Sequence, residues 1–175
     1  MSASRPASTR PAIRVSPPAS ESEWLDARRL TGELIAWLAE AVALDARTHQ
    51  HDSNEELDSL RDFYQPPAGR FLVGYVGGVP AGTSGIYMMT PDTAELRRVW
   101  VTPGARGNGL APALLEAAIA TARELGARRI WLETAAGHMD TAIAMYRRAG
   151  FREVAPYSSL PETIPNILTL GLELE

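Results

Sequence analysis

Six consecutive residues, Arg106-Gly107-Asn108-Gly109-Leu110-Ala111, are of types that could hold an anion. Glycine lets the backbone turn tightly and approach a ligand. The segment also runs into an amphipathic stretch whose first-turn N–H groups would lack intrahelical partners. The positive end of a helix dipole favours a phosphate there. Pro112 suits the first turn, where its missing N–H would have been unpaired anyway. Three identities compete for the loop. A dinucleotide-binding G-x-G-x-x-G needs a third glycine where Pro112 stands, and no acidic residue follows at the expected strand end. A Walker A loop needs a lysine, and the chain has none. The third identity is a plain glycine-rich turn before a capped helix. A second constellation, His49-Gln50-His51-Asp52, is an H-x-H pair that could ligate a metal. No further strong ligand accompanies it, so a solvated connection and no metal are expected.

Composition narrows the chemistry. The 175 residues include no cysteine, which excludes disulfides, cysteine zinc sites, iron–sulfur clusters and a thiol nucleophile. All 17 basic residues are arginines, which excludes a lysine Schiff base. Arg5, Arg10 and Arg14 precede the first acid, Glu21, and 14 arginines then face all 21 acids. A net acidic body argues against nucleic-acid partners, although a local positive potential could still attract an anionic ligand. No apolar run approaches the ~20 residues that span a bilayer, and no signal-peptide stretch opens the chain, so a cytoplasmic protein with no membrane partner is expected.

The elements that would position the loop follow from periodicity. Residues 1–12, rich in Ser, Pro, Ala and Arg, are expected to be a disordered arm, and residues 13–175 a single domain. A short strand near Ile13–Val15 precedes a helix in which Trp24, Leu25, Leu30, Leu34, Ile35, Leu38 and Val42 recur at helical spacing. A second helix, Glu55–Tyr64, is capped by Ser53 or Asn54 and stopped by Pro66 and Pro67. A hairpin, Arg70–Val76 and Ala81–Thr90, turns at Gly77-Gly78-Val79-Pro80. The strand Thr93–Val101 leads to the glycine loop. Leu114, Leu115, Ala118, Ile119, Ala122 and Leu125 then mark one helix face up to Gly126. A strand at Arg129–Thr134, a helix at Asp140–Ala149 and strands near Phe151–Ala155 and Ile167–Glu173 complete a mixed α/β order.

Arg106-x-x-Gly109-x-Ala111, after a strand and before a long helix, resembles the acetyl-CoA pyrophosphate loop of the GNAT superfamily of N-acetyltransferases. The strand Glu95-Leu96-Arg97-Arg98-Val99-Trp100-Val101 resembles that family's fourth strand. The run from Ala142 through Met145-Tyr146 to Gly150-Phe151 is similar to its closing helix. The resemblance implies a GNAT fold: a mixed, mostly antiparallel central sheet, helices on both faces, and a splay between the fourth and fifth strands. It implies acetyl-CoA as cosubstrate, with the pantetheine arm along Val99, Trp100 and Val101. The pyrophosphate would rest on Arg106, Gly107, Asn108, Gly109, Leu110 and Ala111.

The same resemblance puts Glu95 where many members carry a general base, and Tyr146 where a tyrosine meets the coenzyme A sulfur. Each has a plainer identity, Glu95 as a solvated residue opening a strand and Tyr146 as a core aromatic beside Ala142, Met145 and Ala149. A glutamate near pKa 4.3 facing a lysine ammonium near 10.4 is mismatched by about 8 kcal/mol, and facing an α-amine by about 5. Glu95 therefore needs a raised pKa, a water relay or a partly neutral amine. Met139 stands where many members have an asparagine, so that contact is either absent or supplied by another residue such as Asp140 or His138. Tyr64, Tyr157, His49 and His51 fall where the family binds its acceptor.

The function implied is acetyl transfer to a primary amine, on a small molecule or peptide, by direct attack in a ternary complex. A cysteine-free chain excludes an acetyl-cysteine relay. The competing readings are a non-catalytic acyl-CoA-binding module of the same fold and an unrelated phosphate binder. Family members are often dimers, and the apolar Ile167–Leu172 strand leaves a homodimer open.

Overall fold

The computed structural model describes residues 10–41, 55–158, 162 and 164–175. The expected arm up to Thr9, Val42, the His49–Asp52 connection and the cap at Ser53 or Asn54 lie outside the described residues. A first strand, β1 (Ile13–Ser16), pairs antiparallel with β2 (Gly69–Val76). β3 (Val79–Met88) and β4 (Thr93–Val101) continue the antiparallel meander. With β5 (Arg129–Ala135), β6 (Arg152–Glu153) and β7 (Ile167–Glu173) they form one seven-stranded sheet in the order β1-β2-β3-β4-β5-β7-β6. Among the described strands only β4 and β5 pair in parallel.

Helices cover both faces because the strands alternate apolar side chains up and down. α3 (Leu110–Glu124) and α4 (Asp140–Arg148) lie on one face. There Leu115, Ala118, Ala122, Met145 and Phe151 pack with Leu96, Ile130, Leu132 and Leu170. α1 (Glu21–Ala41) lies on the other, with α2 (Leu60–Phe63), which follows helical residues 55–58 and a turn at Ser59. Here Ala27, Leu30, Leu34, Leu60 and Tyr64 pack on Phe71, Val73 and Trp100. Each fully buried leucine of these cores contributes about 1.5–3 kcal/mol. Gly85 lets Tyr64 reach the sheet: a Cβ there would lie 2.7 Å from the Tyr64 ring.

Several sequence expectations shift. β3 begins at Val79 rather than Ala81, because Gly77 and Gly78 alone make the turn and Pro80 sits at an irregularity opposite Tyr75. Leu25 is 62% exposed, off the buried stripe formed by Ala27, Leu30, Thr31, Leu34 and Ile35. The second helix breaks at Ser59, and β6 keeps only two residues of the expected Phe151–Ala155. β7 lies inside the sheet between β5 and β6, not at an edge. Among the described residues no helix is long and apolar enough to cross a membrane.

Candidate active site

β4 and β5 pair at only three positions, Thr93 with Arg129, Ala94 with Ile130 and Glu95 with Trp131. Both strands continue past that point, to Val101 and Ala135, without pairing. The sheet therefore splits immediately after Glu95. At the split lies a cavity of about 500 Å3, bounded by Val99, Trp100 and Val101 of β4, by the Ala105–Pro112 loop, and by Met139, Ala142, Met145 and Arg148 around α4. Trp37 of α1 and His138 complete its wall.

The loop reaches α3 through Gly109, whose φ of 90° is a left-handed conformation that favours glycine. No side chain caps α3, and the N–H of Ala113 makes the bond to the Gly109 carbonyl. The first-turn amides thus have no intrahelical acceptor and carry the positive end of the helix dipole. Of the nine residues expected around a cofactor, Val99, Trp100, Val101, Arg106, Gly107, Gly109, Leu110 and Ala111 line the cavity. Asn108 does not; its amide donates to the Ala105 carbonyl (3.2 Å) and braces the loop from outside. Arg106 donates from Nε to the Val101 carbonyl (3.2 Å) and lies 5.2 Å from the Trp100 ring centre.

A bulge shapes β4 beside this cavity. Thr83 pairs with Trp100 and Gly85 with Arg97, so one residue of β3 opposes Arg98 and Val99 together. Arg98 sits at φ 55°, a left-handed conformation costing a non-glycine residue about 1–2 kcal/mol. The extra residue reverses the strand's alternation. Leu96 packs toward α3, Arg97 and Arg98 both reach the opposite face, and Trp100 then packs toward α1 while Val101 faces Leu110 and Leu114. The residue reached by both arginines is Glu56. Its carboxylate accepts from Arg98 Nε (3.0 Å) and Nη2 (2.6 Å), pairs with Arg97 Nη2 (2.9 Å) and accepts the Tyr64 hydroxyl (2.6 Å). Burial raises the Glu56 carboxyl, but Arg98, Arg97 and Tyr64 together hold it below the ordinary value.

On the α1 face of the split stands an ionisable cluster. Glu95 accepts a hydrogen bond from the Tyr157 hydroxyl (2.9 Å) and lies 3.8 Å from Arg97. Tyr157 stacks on Trp131, with ring centres 5.4 Å apart. Burial raises the Tyr157 hydroxyl, and Glu95 raises it further. Two residues beyond Trp131 on β5, Glu133 shares this face, with Ser158 Oγ 2.8 Å from both its oxygens. Burial and then the Glu95 charge raise the Glu133 carboxyl, against the Ser158 hydrogen bond. Arg97 remains a cation: burial opposes it, but Glu56, Tyr64, Glu95 and Tyr157 outweigh that.

Tyr146 is buried on α4, its ring 5.7 Å from Phe151, and burial alone pushes its hydroxyl well above the ordinary phenol value. Its neighbours Ala142 and Met145 line the cavity; Tyr146 does not. Met139 ends up at the start of α4, its sulfur accepting from Thr134 (3.6 Å). Asp140 turns back to the Gly137 amide, away from the cavity, whereas His138 lines it. Tyr64 is a core residue bonded to Glu56, not an acceptor contact. Sequence reasoning missed Glu56, Arg97, Arg98 and Glu133. Two adjacent arginines inside an otherwise alternating strand were the available signal for the bulge. Among the described residues no group of three potential ligands is placed to hold a metal.

A sheet split between a parallel strand pair, with an uncapped helix N-terminus at its mouth, is the splay between the fourth and fifth strands expected of the GNAT fold. The model of the acetyltransferase (GNAT) family matches residues 38–151, and the chain belongs to that family. An IAA acetyltransferase of Azospirillum brasilense is 36% identical over 70% of this chain and 76% of its own length. YjgM of Escherichia coli K12, an uncharacterised N-acetyltransferase, is 35% identical over 58% of this chain, and the match spans 62% of that relative. Among solved structures, yncA of Salmonella typhimurium, determined with its cofactor acetyl-CoA, superposes with a TM-score of 0.71 at 19% identity, covering 94% of this chain and 95% of that one. A GNAT-family acetyltransferase of Staphylococcus aureus gives 0.72 at 20% identity over 94% and 100%.

Proposed function

We propose that the protein transfers the acetyl group of acetyl-CoA to a primary amine, of a small molecule or a peptide, by direct attack in a ternary complex. The observation that carries this reading is the parting of β4 and β5 at Glu95, with uncapped helix amides on one side and the Glu95–Tyr157 pair on the other. The amides of Gly107, Gly109, Leu110 and Ala111, with Arg106, hold the diphosphate, and the edge of β4 along Val99, Trp100 and Val101 pairs with the pantetheine. Asn108 keeps the loop in shape.

In the reaction a C–N bond forms as the C–S bond breaks. The ammonium releases one proton to reach the neutral amine, and a second leaves the nitrogen while the departing thiolate gains one. Glu95 and Glu133 form the accepting pair. The raised Glu133 carboxyl matters because each unit of pKa closes about 1.4 kcal/mol of the mismatch with the amine. Tyr146, held protonated by burial and next in sequence to the cavity-lining Met145, is the donor to the sulfur once the thioester is seated close enough to reach it.

Release of coenzyme A thiol, followed with a panel of primary amines, tests the reading. Amine-dependent release is expected. Tight acetyl-CoA binding with no release across the panel would favour the non-catalytic module, and equal binding of an unrelated nucleotide would favour a general phosphate binder.

A further inference from the structure

We propose that Glu56 is a positioning residue for the acyl-CoA slot, acting by anchoring the β4 bulge through Arg98. This rests on the acetyl-transfer reading for its ligand, but not for its structural content. Ordinary strands put consecutive side chains on opposite faces. Here Arg97 and Arg98 both end on one buried carboxylate, which is possible only because Arg98 adopts a left-handed φ of 55°. The main chain is held at the same point, where the Thr83 hydroxyl donates to the Arg98 carbonyl (2.8 Å). Glu56 is 6% exposed, and its Oε1 and Oε2 are engaged by Arg98 in a bidentate fork, a geometry that fixes direction as well as distance.

The consequence falls on the slot. The bulge decides which way the next three residues face, so it is what presents the backbone of Val99 to Val101 at the open edge beyond Glu95. Without the anchor, an arginine at position 98 favours the right-handed or extended conformations, and the bulge loses its fixed place. Glu56 itself is absent from the cavity wall, so its effect is transmitted through Arg98 and not by contact with a ligand.

The distinction from a merely structural role lies in which kinetic constant moves. Glu56→Gln should raise the KM for acetyl-CoA about tenfold, the cost of fixing a left-handed residue without its anchor. At saturating acetyl-CoA, kcat should stay within about threefold, because the bound ligand restores the bulge. A lower melting temperature with KM unchanged would overturn the proposal. A second pair of variants leaves Glu56 in place. Arg98→Ala removes the anchor but keeps a Cβ, and should raise KM as Glu56→Gln does. Arg98→Gly removes the anchor and the need for it, since glycine takes positive φ freely, and should return KM close to wild type. Equal KM values for the alanine and glycine variants would contradict the anchoring. Amide exchange at Val99 and Trp100 in ligand-free protein separates this from the acetyl-CoA reading. Faster exchange there in Glu56→Gln, with the β5–β7 amides unchanged, supports the anchor even if wild-type protein binds no acetyl-CoA. Exchange unchanged at Val99 and Trp100 sinks it.

Discussion

The α3 side of the β4–β5 split offers mainly backbone: the edge of β4 along Val99, Trp100 and Val101, and the uncapped amides around Gly109. On the α1 side stand side chains instead: Glu95, Arg97, Glu133 and Tyr157, interlocked by hydrogen bonds and charge. Backbone donors suit what never varies in a ligand, such as a diphosphate and an amide-bearing arm, and here Arg106 stands beside them. Ionisable side chains handle protons, and their pKa values are set by neighbours drawn from several elements. The first side is therefore expected to govern affinity for acetyl-CoA and the second turnover.

The largest predicted effect separates those two duties. Glu95→Gln with Glu133→Gln should lower kcat about 10³-fold, within the range of proton-transfer catalysis, while acetyl-CoA affinity stays near wild type. The rate should rise with pH as Glu133 ionises. Because Glu133 is raised by burial and by Glu95, that limb should lie above the ordinary carboxylate range and disappear in the double variant. An unchanged pH–rate profile would place the base elsewhere. Gly109→Leu should do the converse. A left-handed φ that strains leucine, together with a side chain beside the loop, should remove two charge-assisted amide bonds, about 100-fold in affinity by titration calorimetry. Wild-type affinity would return the loop to a plain turn.

Tyr146→Phe should cut kcat about 10–100-fold, the worth of one hydrogen bond to a charged group, with little change in acetyl-CoA affinity. Wild-type turnover would leave Tyr146 as a core aromatic only. The smallest effect concerns stability. The Glu56 carboxyl is depressed when folded, so its stabilising contribution is complete above the unfolded value near 4.3 and is lost as pH falls through the folded one. Chemical denaturation between about pH 5 and 2 should therefore show a steeper loss in wild type than in Glu56→Gln; parallel curves would mean Glu56 titrates alike in both states.

The same contrast explains what was legible in the sequence. Thr93–Val101 and the loop after it could be read because alternation, glycine spacing and a helix start are local patterns, and eight of the nine residues expected there line the cavity. The opposite side is assembled from afar. Glu56 meets Arg98 across 42 positions, Tyr157 meets Glu95 across 62, and Ser158 meets Glu133 across 25. No local spacing encodes those meetings. The positive φ of Arg98 was hidden for a different reason, since a non-glycine residue signals nothing about a left-handed backbone. The place of Tyr64 in the chain points toward the acceptor region, yet the missing side chain at Gly85 leaves room for it in the core.

A crystal structure of the protein with acetyl-CoA tests the central claim most directly. The diphosphate should sit on the amides of Gly107 to Ala111, the pantetheine should run beside Val99 to Val101, and the thioester should have its sulfur toward Tyr146 and its carbonyl carbon open to an amine from the Glu95 side. Acetyl-CoA bound elsewhere, or a split closed over by the protein's own side chains, would contradict it.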